Sequence, residues 1–121
     1  NGGFTNINQC IDGLKIFDGI MIGRSAYKYP LRWNQIDHKI YKEKFLSLKA
    51  SDIIFSLIPY IENHLKKNKK SWDICKHLIN LVESIPHARK WRNKLSLLSI
   101  KGSLSIEMLI SFTNELKSMG Y

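Results

Sequence analysis

Two short glycine-bearing stretches near the start of the chain have the makings of an anion site. Asn1-Gly2-Gly3 precedes a segment of helical pattern, and Gly23-Arg24 separates an apolar run from another helix start. Glycine lets a backbone N–H approach an anion closely, and a helix start adds about half a positive charge. Arg24 adds a planar fork that can grip a phosphate with two hydrogen bonds. Either stretch alone reads more readily as a plain tight turn. The pair, one helix and one strand pattern apart, matches the phosphate site formed by the last two strands of an eightfold barrel.

A second set of cations lies further along. Arg89, Lys90, Arg92 and Lys94 surround an apolar stripe of Ala88, Trp91, Leu95 and Leu98. At roughly 100° per residue, Arg89 and Arg92 fall about 60° apart on one flank of a helix, with Lys90 and Lys94 on the other. Such a helix docks its stripe into a core and offers the remainder to phosphates. A merely solvated basic face carries the same pattern. Arginine's fork, suited to phosphates and base edges, favours the nucleic-acid reading.

Other chemistries find no support. His38, His64, His77 and His87 lack zinc-site spacing with Cys10 or Cys75, so no metal is expected. Both cysteines sit on apolar helical stretches and read as buried, inert thiols. No Ser/His/Asp or paired-carboxylate arrangement can be assembled. Trp33, Trp72 and Trp91 read as packing anchors, and the run Lys66-Lys67-Asn68-Lys69-Lys70 as a solvated helix end.

The elements that must hold these residues divide near residues 37–50. In residues 1–37, Thr5 is expected to cap a helix to about Leu14, with Ile7, Cys10, Ile11 and Leu14 on one face. Gly13 weakens its last turn. Ile16 to Ile22 reads as a strand buried on both faces, and Arg24 to Tyr27 as a helix start. That order is a βα unit, which needs neighbouring strands to stand. The polar stretch His38–Lys44 serves as a linker or exposed helix within residues 38–50.

Residues 51–121 read as four amphipathic helices in a small antiparallel bundle. The first starts at Ser51-Asp52 and carries Ile53, Ile54, Leu57, Ile58, Ile61 and Leu65, with Pro59 expected to bend it. Asp73 starts the second, with Ile74, Leu78, Leu81 and Val82 inward. Pro86-His87 opens the third. The fourth follows Gly102-Ser103 and turns Leu104 or Ile106, Leu109, Ile110, Thr113 and Leu116 inward. The fold class expected is α+β, mainly α.

Composition bounds the function. Nineteen Lys+Arg against ten Asp+Glu give +9 over 121 residues, which points to a polyanionic partner, most simply nucleic acid. Residues 38–121 hold fifteen basic and seven acidic residues, so +8 of that charge is theirs. Two cysteines are too few for a disulfide scaffold and fit a reducing, cytoplasmic setting. No apolar run approaches the roughly 20 residues of a membrane span. The length falls short of the roughly 250 residues of a whole barrel, so part of a longer protein is expected.

Taken together, Asn1-Gly2-Gly3-Phe4-Thr5 and the run from Phe17 to Tyr27 (Phe-Asp-Gly-Ile-Met-Ile-Gly-Arg-Ser-Ala-Tyr) resemble the C-terminal barrel loops of bacterial tRNA-dihydrouridine synthases. Pro59-Tyr60-Ile61-Glu62, Lys76-His77-Leu78 and the run from Ala88 to Ser96 extend the likeness. The last is similar to the Ala-Arg-x-Trp-Arg-x-x-Leu-Ser pattern of the subgroup acting on uridines 20 and 20a.

The resemblance implies the last βα elements of a TIM (β/α)8 barrel holding FMN, followed by a helical tRNA-binding domain. The activity implied is reduction of the uridine C5–C6 bond in the tRNA D-loop, with NADPH as reductant. It gives Asn1, Gly2, Gly3, Gly23 and Arg24 to the FMN phosphate, and Arg89 and Arg92, with Lys90 and Lys94 beside them, to tRNA. It puts the catalytic cysteine on an earlier barrel loop, upstream of residue 1, so this stretch alone is expected to be inactive. A monomer is expected. The family usually has glycine where His87 stands, Asn-Pro-Tyr around Lys28-Tyr29-Pro30-Leu31, and Arg-His-Met at Lys76-His77-Leu78. Two other readings compete with this one: a free-standing basic helical module that binds nucleic acid without catalysis, and another FMN-phosphate barrel with an unrelated helical tail.

Overall fold

The computed structural model describes residues 2–83 and 85–121. It divides the chain into two units, Asn1–Leu48 and Lys49–Tyr121.

In the first unit, α1 spans Ile7–Gly13. Its cap is Asn6, not Thr5: the Asn6 side chain accepts the Gln9 amide at 3.0 Å. The residue next to the first helical position is the one whose short side chain reaches the third amide. Thr5 instead joins the Gln9 side chain, its backbone N–H donating to Oε1 at 2.8 Å. Ile7 and Cys10 are buried, Ile11 is half-buried and Leu14 is exposed. Gly13 has a packing role: a Cβ there would meet Ile20 Cδ1 at 2.7 Å and the Phe4 ring at 3.1 Å.

The strand expected at Ile16–Ile22 does not form, and no β-strand occurs among the described residues. The unit is helical rather than α+β. A strand needs a partner for its backbone donors and acceptors, and this stretch meets none. Nor is it buried on both faces. Ile20 and Ile22 pack on the core of Ile7, Cys10 and Trp33, whereas Ile16 is 79% and Met21 60% exposed.

Next, α2 covers Arg24–Lys28, a 3₁₀ turn Pro30–Trp33, and α3 Ile36–Tyr41. Trp33 plugs the turn into the core, with Ile36 and Ile40 packed beside it. The stretch 38–44 is thus helical as far as Tyr41. Residues 42–49 carry no regular structure.

The second unit is helical. It comprises α4 Ala50–Lys66, α5 Trp72–Leu78 continued by a 3₁₀ turn Ile79–Val82, α6 Ala88–Ile100 and α7 Ile106–Ser118. The α4 start is one turn-position earlier than Ser51-Asp52 suggests. Asp52 accepts the Lys49 amide at 3.0 Å, while Ser51 is buried with no hydrogen-bond partner for its hydroxyl. Pro59 sits inside α4 and removes its bond to the Phe55 carbonyl. Ser105 caps α7 by accepting the Met108 amide at 3.1 Å.

α4 packs against α7, and α5 with its 3₁₀ extension packs against α6. Ile54, Ile61, Leu95, Leu109 and Leu116 are fully buried, each worth about 1.5–3 kcal/mol relative to exposure. Of the residues expected inward, Ile74 is half-buried, its place taken by Cys75 one residue on, and Ile110 is exposed. His64 Nε2 lies 3.2 Å from Asp73 Oδ2, tying the end of α4 to the start of α5.

Candidate functional site

The first unit gathers Gly3, Gly23 and Arg24 around one cavity of about 330 Å³. Gly3 holds φ +79°, a left-handed conformation that side-chain-bearing residues rarely take. The Ser25 hydroxyl donates to the Thr5 carbonyl at 3.4 Å, joining the two glycine loops. Gly2 is not part of the wall, and Asn1 lies outside the described residues.

The cavity has contributors that the spacing of glycines did not reveal: Lys28, Tyr29 and Arg32. The Arg32 guanidinium lies 3.8 Å from the Tyr29 ring centroid and the Lys28 ammonium 5.1 Å from it. The signal for this was present as two cations four residues apart on either side of Tyr29-Pro30. Among the described residues no carboxylate lines the cavity, so three cations set a positive field there. Its volume is at the low end of ligand cavities, about 300–1,000 Å³, which suits a phosphate and the chain attached to it.

In the second unit, Arg89, Lys90 and Lys94 line an open depression along α6 with His87, Asn93 and Leu97. Arg89 and Lys90 are exposed, whereas Arg92 and Lys94 are half-buried, and Arg92 is not part of that wall. Lys94 is already engaged: its ammonium lies 3.3 Å from Glu115 Oε1 and 5.1 Å from the Phe112 ring centroid. Leu97 brings an apolar floor to an otherwise cationic face. Asn93 and Leu97 follow from the i, i+3, i+4, i+7 spacing with Lys90 and Lys94, once the buried stripe fixes the rotation of α6.

His87, which opens α6, holds φ +63°. Glycine takes that left-handed conformation more readily than histidine, which fits the glycine expected at this point from the resemblance.

Cys10 and Cys75 are buried and free, and burial pushes both thiols up from 9.0. Ser99 beside Cys75 opposes the shift, weakly, since its hydroxyl makes no hydrogen bond of full geometry. Neither is poised as a nucleophile. Among the described residues no cluster of three or more His, Cys, Asp or Glu could hold a metal ion. No helix of the described residues is long and apolar enough to cross a membrane.

Each unit thus presents a surface rich in cations. The chain belongs to the dihydrouridine synthase (Dus) family, whose pattern matches residues 1–117. It is similar to the tRNA-dihydrouridine(20/20a) synthase of Shewanella oneidensis, 34% identical over 109 residues, or 90% of this chain and 32% of that protein. The enzyme of the same name from Synechocystis sp. is 33% identical over 109 residues, 90% of this chain and 33% of its own. That from Vibrio parahaemolyticus is 32% identical over the same share of this chain. The chain thus spans about a third of the length of these relatives.

Proposed function

We propose that this chain is the C-terminal part of an FMN-dependent tRNA-dihydrouridine(20/20a) synthase. In this reading residues 1–37 supply the last βα elements of a TIM barrel, whose strand at Ile16–Ile22 forms only beside the other strands, residues 38–50 a linker, and residues 51–121 an antiparallel helical bundle that binds tRNA. The observation that carries it is the meeting of Gly3 and Gly23-Arg24 on one carboxylate-free cavity, in a chain whose relatives bear that enzyme's name.

The residues present fit the phosphate end of FMN. Gly2 and Gly3 leave open space beside the backbone, since a Cβ on either would meet nothing within 4 Å. The backbone N–H groups of Gly3 and Gly23 can face phosphate oxygens, and Arg24 offers two parallel donors. When bound, FMN supplies the reducing power for the uridine C5–C6 bond, and NADPH restores it. In the second unit Arg89 and Lys90 meet tRNA phosphates, with Arg92 and Lys94 at the edges of the same helix. Two free, buried cysteines fit a reducing, cytoplasmic setting.

The test uses Arg24→Ala in the intact protein. A lost charge-assisted contact is worth about 1.5–3 kcal/mol, so FMN affinity should fall about 10–100-fold, while riboflavin, which has no phosphate, binds as before. Undiminished FMN retention through gel filtration would refute the phosphate role.

A further inference from the structure

Arg24 alone does not balance the charge of the ligand proposed for this cavity. A phosphate monoester near neutral pH carries close to two negative charges. Gly3 and Gly23 contribute only backbone dipoles. A second cation on a constrained segment would bring the charges closer to balance, and the cavity wall holds one in Arg32.

Arg32 lies on the 3₁₀ turn Pro30–Trp33, whose geometry is set from three directions. Pro30 fixes the backbone at the first position of the turn. Trp33, 9% exposed, anchors the next residue in the core beside Ile7 and Cys10. The Arg32 amide donates to the Tyr29 carbonyl at 3.1 Å. The side chain is then held by its own stack, with the guanidinium 3.8 Å from the Tyr29 ring centroid. A guanidinium laid on an aromatic face keeps its edge N–H groups free to donate in the ring plane. Less side-chain freedom remains to be lost when an anion arrives.

We infer that Arg32, clamped on Tyr29, is a second guanidinium arm of this cavity and sets its preference for a phosphate monoester over the uncharged ligand. Arg24 and Arg32 grip the phosphate from separate segments of chain, and Lys28 adds long-range charge. The inference rests on the flavin-phosphate reading of the cavity. Arg32 also borders a neighbouring polar cleft with Asn6, Asn34, Gln35 and Lys39. Service to that cleft instead is the competing possibility.

The experiment measures FMN and riboflavin binding by flavin fluorescence on the intact protein and on Arg32→Ala, Arg32→Gln and Arg24→Ala. The expected result for both Arg32 variants is a loss of about tenfold or more for FMN with riboflavin binding intact, at the scale of one charge-assisted contact. Intact riboflavin binding also shows that the variant is folded. Arg32→Gln removes the charge but keeps a planar polar side chain, so a variant that merely unfolds the turn is told apart from one that loses charge. If Arg24→Ala weakens FMN while both Arg32 variants leave it unchanged, the arm is overturned and the phosphate site stands. If neither arginine matters, the phosphate site falls and the arm with it. If the Arg32 variants spare FMN and weaken tRNA, the arm belongs to the neighbouring cleft and the inference fails.

Discussion

The indole Nε1–H of Trp91 donates to the backbone carbonyl of Phe112 at 2.9 Å, fastening α6 to α7. One turn further along α6, Lys94 pairs with Glu115 and lies over the Phe112 ring. These contacts fix the rotation of α6 about its axis and so decide which cations face outward. The basic face is a consequence of where the indole is anchored.

Trp91→Phe tests that anchor. It removes the indole's hydrogen bond to Phe112 and opens space in the core, which should cost about 1–3 kcal/mol in urea denaturation. tRNA affinity should fall as well, although no cation has been removed. Full affinity in a destabilised variant would show that the face does not depend on the anchor.

The four cations of α6 should be unequal. Arg89→Ala and Lys90→Ala should each lower the salt slope of tRNA binding by about one, as one phosphate contact is lost. Arg92→Ala and Lys94→Ala should do less, because both residues are half-buried and Lys94 is paired. A salt titration giving equal slopes for all four variants contradicts this order.

Glu115→Gln follows from the same pair. Removing the carboxylate frees Lys94 and takes a negative charge from beside the basic face, so tRNA should bind more tightly at low salt. The stability change should stay within about 1 kcal/mol, since the pair is largely solvated. Weaker binding would show that Glu115 holds Lys94 in a needed position.

His87→Gly should stabilise the chain, by up to about 1 kcal/mol. A left-handed residue at φ +63° is strained with a side chain and relaxed without one, although glycine gives part of this back as unfolded-state entropy. The check is the midpoint of thermal unfolding. A fall would mean that the imidazole makes a contact worth more than the strain.

Burial raises the Cys75 thiol, and the sign of the pH effect follows. The folded state holds its proton more tightly than the unfolded state does, so this contribution is complete below the ordinary thiol value of 9.0. It is lost as pH rises from there through the folded value. Cys75→Ala should therefore flatten the alkaline fall in stability relative to the parent. Parallel curves would mean that Cys75 contributes nothing to the fall.

Much of the second unit was written in the sequence. Trp91 and Leu95, or Leu109, Thr113 and Leu116, recur at helical spacing, and a helix with one apolar stripe has only one side to bury. Its local errors came from choosing between neighbours. Ser51 and Asp52 both look like caps, but Ser51 is turned into the core and Asp52 caps from inside the helix. The first unit was less legible for a different reason. Ile16 to Ile22 has a strand's residues, yet a strand exists only by pairing, and the pairing partner is not encoded in the stretch itself.

The sequence by itself determined the glycines, the cations and the family they belong to, because residue types and short spacings are local properties. Only the tertiary structure decided which cations share a cavity. Trp33 seats the Pro30–Trp33 turn in the core, and that brings Arg32 and Lys28 to the wall that Gly3 and Arg24 occupy. Residues remote in sequence meet only when packing closes the loop between them, and no spacing rule read along the chain carries that information.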